Sequence, residues 1–153
     1  VKDHSFSPKY FFGDDINTDL ILPGMAFLLP VEEQSKYCFS ANRPGWSDKV
    51  QPGDIIVAGT NFGLGSARPI GKVFAHLGVA GVIASTFNGL GMRNCVNYGV
   101  HVLTCLGATT GISDGDRILV DWQSGSVQNL TKANGISGSA LGHKYGRRKV
   151  FSG

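Results

Sequence analysis

The sequence predicts an α/β domain built in three layers, a β/β/α arrangement, and three observations carry the prediction. Short β-branched runs bounded by glycine alternate with amphipathic segments in the order strand, glycine loop, helix, strand, helix, strand. That order belongs to parallel strand pairing. A later segment alternates apolar and polar residues on both sides of a turn, which adds an antiparallel hairpin. Glycine supplies 22 of 153 residues, roughly twice the usual ~7%, and it punctuates apolar runs throughout the chain.

Each element follows from local chemistry. Residues 9–12, KYFF, read as a short strand, and GDDINTDLILPG (13–24) as a turn-rich loop entering an apolar stretch. Residues 30–40 start as a helix, because Pro30 suits a first turn and Glu32 and Glu33 complement the helix dipole. Residues 42–54 read as loop. IIVAG (55–59) is a continuous β-branched run of the kind buried on both faces of a sheet. Residues 68–78 read as a helix with Pro69 in its first turn, Val73, Phe74 and Leu77 on its apolar face, and Gly78 as its stop. Residues 79–85 form a second buried strand, 87–99 a short helix stopped by Gly99, and 100–104 a third strand. Residues 115–131 give two strands around a Ser-Gly turn.

Bulk properties narrow the function classes. The length suits one domain over 1–153, with a basic tail from about residue 142 that contains Lys144, Arg147, Arg148 and Lys149. A net charge of +3 without a basic stripe argues against nucleic acid as a partner. No run approaches the ~18 apolar residues of a membrane span, and the first residues lack a secretory apolar core. Cys38, Cys95 and Cys105 are odd in number and lie at no metal-binding spacing, which predicts no metal site in this chain and a reducing, cytoplasmic setting. His76 and His101 lack a second ligand at helical spacing and read as structural. Phe62, Phe74, Phe87 and Tyr98 read as core.

GTNFGLGSARPIG (59–71) is the segment richest in chemistry. A loop that leaves a strand and opens a helix is a preferred ligand site in α/β sheets, and a helix N-terminus attracts anions. Arg68 adds a planar fork suited to a carboxylate, and Ser66 adds a hydroxyl. The loop is neither a P-loop nor a dinucleotide fingerprint. It reads as a cradle for a carboxylate or phosphate. Ser66 acting only as a helix N-cap, and Asp15 and Asp19 only as Asx-turn formers, are the structural alternatives.

These stretches resemble a known family. GDDINTDLILPG is similar to the G-D-x-I-x-T-D-x-I-x-P opening of the small subunit of 3-isopropylmalate dehydratase, and GTNFGLGSARPIG to its G-x-N-F-G-C-G-S-S-R-E-H loop. The block GVAGVIASTFNGLGMRNCVNYGVHVL and the hairpin GDRILVDWQSGSVQNLT follow in the same order, so the resemblance covers roughly residues 10–141. It implies the swivelling β/β/α domain of aconitase-like hydro-lyases, paired with a separate large subunit as a heterodimer. In that picture a [4Fe–4S] cluster is held by the large subunit, and this chain binds no cofactor. By position, Ser66 resembles the serine that removes a proton, and Arg68 the arginine that grips a substrate carboxylate. Gly65, Ala67 and Asn61 join the substrate loop. Asp19, with Thr18, resembles the pair that orients groups across the subunit interface.

The chain also departs from the family pattern. Ala67 stands where the family has a second serine, and Pro69–Ile70 where it has Glu-His. The segment MAFLLP, with Met25, Phe27 and Leu28, replaces the R-Y-L-R-T type of loop that selects the substrate's variable arm. It cannot form a salt bridge, so a divergent enzyme with an apolar substrate pocket is expected; without the family, the same segment reads as buried packing. The family's C-terminal helix pattern is replaced by HKYGRRKVFSG. Two alternatives stand beside a hydro-lyase: an iron-independent dehydration or pericyclic catalyst in natural-product biosynthesis, and a non-catalytic regulatory subunit.

Overall fold

Side-chain alternation along three central strands sorts the chain into its layers. The computed structural model describes residues 3–6, 9–132, 134–137 and 139–140. Strands β2 (Lys9–Phe11), β3 (Ile55–Ala58), β4 (Gly81–Ala84) and β5 (His101–Thr104) pair in parallel, and β9 (Ser139–Ala140) adds an antiparallel edge to β5. A second, antiparallel sheet has the order β1 (Asp3–Phe6), β6 (Ile118–Asp121), β7 (Ser126–Asn129), β8 (Asn134–Ser137).

Every residue of β3 and β4 is buried. Ile56, Ala58, Val82 and Ala84 enter one core with helices α4 (Ile70–Leu77) and α5 (Gly89–Asn97). Ile55, Val57 and Ile83 enter a second core with Ile118, Val120, Trp122 and Val127 of the antiparallel sheet and its turn. Strands buried on both faces are the reason these runs are continuously apolar. The layers are β/β/α, as the sequence predicts, and the fold is α/β.

The glycine stops are in place. Gly78 caps α4 in the left-handed region, and Gly99 follows α5 at φ +78° with its N–H donating to the Val96 carbonyl. Several one-turn elements were not legible. α1 (Thr18–Ile21) and α3 (Trp46–Lys49) fall inside predicted loops, and α6 (Ala108–Gly111) follows β5. One turn is too short to show a periodicity. Tertiary burial holds α3 instead: Trp46 is buried and meets Phe39 edge-on at 4.9 Å. α2 (Val31–Lys36) is shorter than predicted, because Phe39 turns the chain at φ +58° to bury its ring against Phe12. Tyr98 is exposed rather than core. The basic run at 142–153 lies outside the described residues. No helix of the described residues is long and apolar enough to cross a membrane.

The two sheets approach each other closely at Gly81. A Cβ there would lie 2.5 Å from Trp122 Cη2 and 2.9 Å from the His101 carbonyl oxygen, while Trp122 stacks on the His101 ring at 5.0 Å. Gly81→Ala is therefore expected to lower stability by about 1–3 kcal/mol, read as a lower urea midpoint with unchanged slope. Gly13→Ala, whose Cβ would meet nothing within 4 Å, serves as the comparison and is expected to move stability by no more than about 0.5 kcal/mol.

Candidate functional site

Because β2 and β3 are parallel neighbours, the segments that follow them leave the same edge of the sheet. Residues 13–18 and 59–66 then run side by side. Asp15 N–H donates to the Thr60 carbonyl at 2.8 Å, Gly63 N–H to Ile16 at 2.8 Å, and Thr18 N–H to Leu64 at 2.8 Å. The Asp14 carboxylate accepts from Thr60 N–H at 2.8 Å. The glycine loop is thus strapped along its length to the T-D segment.

The strap ends in α1, a single turn whose N-cap, Asn17, accepts from Leu20 N–H at 2.9 Å. Its first two residues hold the loop. Buried Thr18 donates its hydroxyl to the Ser66 carbonyl at 2.6 Å. Asp19 accepts from Arg68 Nε at 2.9 Å and pairs with Arg68 Nη2 through the same oxygen. This ties down the guanidinium of an Arg68 side chain that is 12% exposed, while the Asp19 side chain is 63% exposed. Gly65 takes the left-handed φ of +103° that lets the loop turn under Thr18.

The opposite wall is α5. Gly63 and Gly91 let the loop and helix touch: a Cβ on Gly91 would lie 2.8 Å from the Gly63 carbonyl oxygen. Asn94 Oδ1 accepts from Gly71 N–H at 2.7 Å and fastens α4 to α5. Between the walls lies a cleft of about 340 Å³, lined on one side by Thr18, Ser66, Ala67, Arg68 and Pro69, and on the other by Leu90, Arg93, Asn94 and Asn97. Ser66 and Ala67 are exposed in it. Among the described residues no acceptor takes the backbone N–H of Gly65, Ser66 or Ala67. Gly65 turns the loop but does not line the cleft; Ser66 and Ala67 bring amide N–H groups and a hydroxyl to the rim beside the Arg68 and Arg93 side chains, a surface for an anion.

Of the residues singled out in the sequence, Ser66, Ala67, Arg68 and Thr18 come together at this cleft, with Asp19 behind Arg68. Ser66 does not cap α4; that position is Pro69, one residue before the helix rather than inside it. Ile70, where the family pattern has histidine, is fully buried in the helical core, so the change is a packing change. Asn61 does not line the cleft. It sits at φ +58° with its side-chain amide donating to Asp15 at 3.3 Å. Asp15 thus pairs within the loops, whereas Asp19 pairs with Arg68 of the cleft lining.

The segment after Pro23 is not buried packing. Gly24–Leu28 forms a 3₁₀ turn on which Met25 and Leu28 are 79% and 69% exposed. They line an apolar hollow of about 560 Å³ with Leu29 and Tyr37. This hollow abuts the site, since Arg68 Nη2 lies 4.0 Å from where a side chain on Gly24 would begin. The Phe27 side chain lies outside the described structure.

Sequence inspection missed the α5 wall. Leu90, Arg93, Asn94 and Asn97 recur at helical spacing, opposite the buried Met92, Cys95 and Val96. That polar stripe was the available signal. The cysteines are unsuited to hold a cluster. Cys38 and Cys95 lie in the helical core and Cys105 in the other. Burial pushes the Cys95 thiol up to about 12 and raises that of Cys38 well above its ordinary value. Burial also raises Cys105, against a hydrogen bond from Gly107. Among the described residues no group of three or more His, Cys, Asp or Glu side chains converges to hold a metal ion.

Known proteins share this arrangement of chain and loops. No family model matches the sequence. The 3-isopropylmalate dehydratase small subunit of Methanosarcina acetivorans is 40% identical over 136 residues, which span 85% of this chain and 81% of that one. The methanogen homoaconitase small subunit of Methanothermobacter thermautotrophicus is 38% identical over 122 residues, 78% of this chain and 70% of that one. The crystal structure of 3-isopropylmalate dehydratase from Methanocaldococcus jannaschii superposes with a TM-score of 0.82 at 31% identity, covering 90% of this chain and 81% of that one. The chain belongs to the 3-isopropylmalate dehydratase small-subunit family of hydro-lyases.

Thr18→Val keeps the shape of the side chain and removes its donor to the Ser66 carbonyl. It is expected to cost about 0.5–1.5 kcal/mol and to speed amide exchange at residues 64–68, with the strands of the central sheet unaffected.

Proposed function

We propose that this chain is the small subunit of a heterodimeric hydro-lyase that dehydrates a hydroxy diacid and rehydrates it at the neighbouring carbon. The observation that carries this is the placement of Ser66 and Arg68 on one rim, both fixed by the first turn of α1. The relatives named above are small subunits, which supports a large subunit as the partner that completes the cleft. Turnover by the isolated chain is not expected.

Arg68 binds one substrate carboxylate through a guanidinium that carries five N–H donors, of which Asp19 engages two nitrogens. Asp19 holds the fork in place, so binding costs little side-chain entropy. The proton to be removed lies on the carbon next to that carboxylate. Ser66, as its alkoxide, accepts it. A serine hydroxyl is a weak acid; the Ser66 and Ala67 amides and the Arg68 guanidinium on the same rim would favour its anion. The same Ser66 hydroxyl returns the proton when water adds in the opposite sense. A [4Fe–4S] cluster in the large subunit would polarise the departing hydroxyl as a Lewis acid; the buried cysteines of this chain do not supply its ligands.

The hollow at Met25 and Leu28 selects the substrate's arm. Beside Arg68 it offers apolar surface and no charge, so a carboxylated arm would lose its hydration without gaining a partner. An apolar arm, such as the isopropyl group of 3-isopropylmalate, fits it.

The test is reconstitution with the large subunit and steady-state assay on 3-isopropylmalate. Ser66→Ala is expected to lower kcat about 10²- to 10⁴-fold with subunit association intact. Arg68→Lys, which loses the planar fork, is expected to raise KM. A Ser66→Ala complex with wild-type kcat would remove Ser66 from the chemistry and favour a regulatory subunit.

A further inference from the structure

The α5 wall of the cleft carries a charge that the mechanism above leaves unused. Arg93 lines the cleft across from Ser66 and Arg68. Its guanidinium folds back along α5 toward the helix start, with Nη1 3.6 Å from the position a side chain on Gly89 would take. This is the direction in which helical side chains lean, and the side chain is exposed at the cleft lining. The helix beneath it is fixed: Met92, Cys95 and Val96 are buried on the opposite face, and Asn94 is bonded to Gly71.

The charge balance is one-sided. Arg68 is compensated by Asp19, but the cleft lining contains two arginines and no aspartate or glutamate. Among the described residues no carboxylate forms an ion pair with Arg93. An exposed arginine on a helix is ordinarily just solvated surface. Here it faces a concave site whose other wall already holds a carboxylate-type receptor, and two like charges across a cleft focus a dianion between them.

We infer that Arg93 is the second carboxylate-binding residue of the site, receiving the carboxylate of the substrate that Arg68 does not hold. The inference rests on the hydro-lyase reading and deepens it: this chain alone grips both ends of a diacid, with Ser66 placed at the carbon between them and the apolar arm directed to Met25 and Leu28. Recognition is then by the separation of two carboxylates, and a monoacid of the same shape forfeits the α5 contact.

The assembled two-subunit complex is assayed with Arg93→Gln and Arg93→Lys, using maleate and its monocarboxylate counterpart isocrotonate as competitive probes. Arg93→Gln is expected to raise KM for the hydroxy diacid and the maleate inhibition constant about 10- to 100-fold. It should change kcat less than about threefold and leave isocrotonate inhibition where it was. Arg93→Lys should recover part of the maleate affinity, because it restores the charge without the fork. An unchanged KM would overturn the inference. So would equal weakening of both probes, or weaker association of the two subunits, which would place Arg93 in the subunit interface. Absence of turnover by the wild-type complex would count against the hydro-lyase reading alone. Calorimetry with the same probes then decides Arg93, and a wild-type complex that does not prefer maleate to isocrotonate overturns it.

Discussion

The first turn of α1 is the constraint on which the site depends. Within two consecutive residues it supplies the hydroxyl that holds the Ser66 carbonyl and the carboxylate that holds Arg68. Neither contact is a large stabiliser. A partly exposed ion pair contributes about 0–1 kcal/mol, and a single hydrogen bond about 0.5–1.5 kcal/mol. Their value is geometric. A loop containing Gly59, Gly63 and Gly65 has little conformational preference of its own. It becomes a defined surface because its neighbour, arriving from the adjacent parallel strand, bonds it at Thr60, Gly63, Leu64, Ser66 and Arg68.

That neighbour relation follows from the sheet. β2 pairs in parallel with β3, and β3 is held between two cores, one on each face of the central sheet. Burial of each large aliphatic side chain there contributes about 1.5–3 kcal/mol before entropy is counted. The stability of the three layers therefore sustains an exposed, glycine-rich rim that could not order itself. Both cores are built from this chain's own residues, while the cleft lies open at the surface.

Much of this was legible in the sequence. The central strands showed themselves because burial on both faces removes every polar residue from IIVA and GVIA. The glycine stops at Gly78 and Gly99 and the hairpin at 115–131 rest on local backbone chemistry, and they appear where that chemistry puts them. The resemblance to the small-subunit family placed Ser66 and Arg68 together. Illegible were features set by tertiary contact. The one-turn helices α1 and α3 have no periodicity to read. Met25 and Leu28 are apolar yet exposed, which composition alone assigns to a core. Asn61 sits in the glycine loop but is turned toward Asp15, away from the cleft. The α5 wall was hidden because its polar stripe matters only once α4 and α5 are packed against the glycine loop.

The departures from the family pattern now separate by kind. Ile70 is core and has no part in the site's chemistry. Ala67 stands on the rim, where a missing hydroxyl leaves the backbone amides as the neighbours of Ser66. The MAFLLP segment lines an apolar hollow that adjoins Arg68 at Gly24. The most direct measurement of the whole account is a crystal structure of the two-subunit complex with a bound diacid inhibitor. The account predicts one carboxylate on Arg68 with the Asp19 pair still closed, and the Ser66 hydroxyl facing the adjacent carbon. An inhibitor bound away from this rim, or a Ser66 side chain turned from it with the Thr18 bond broken, would contradict it.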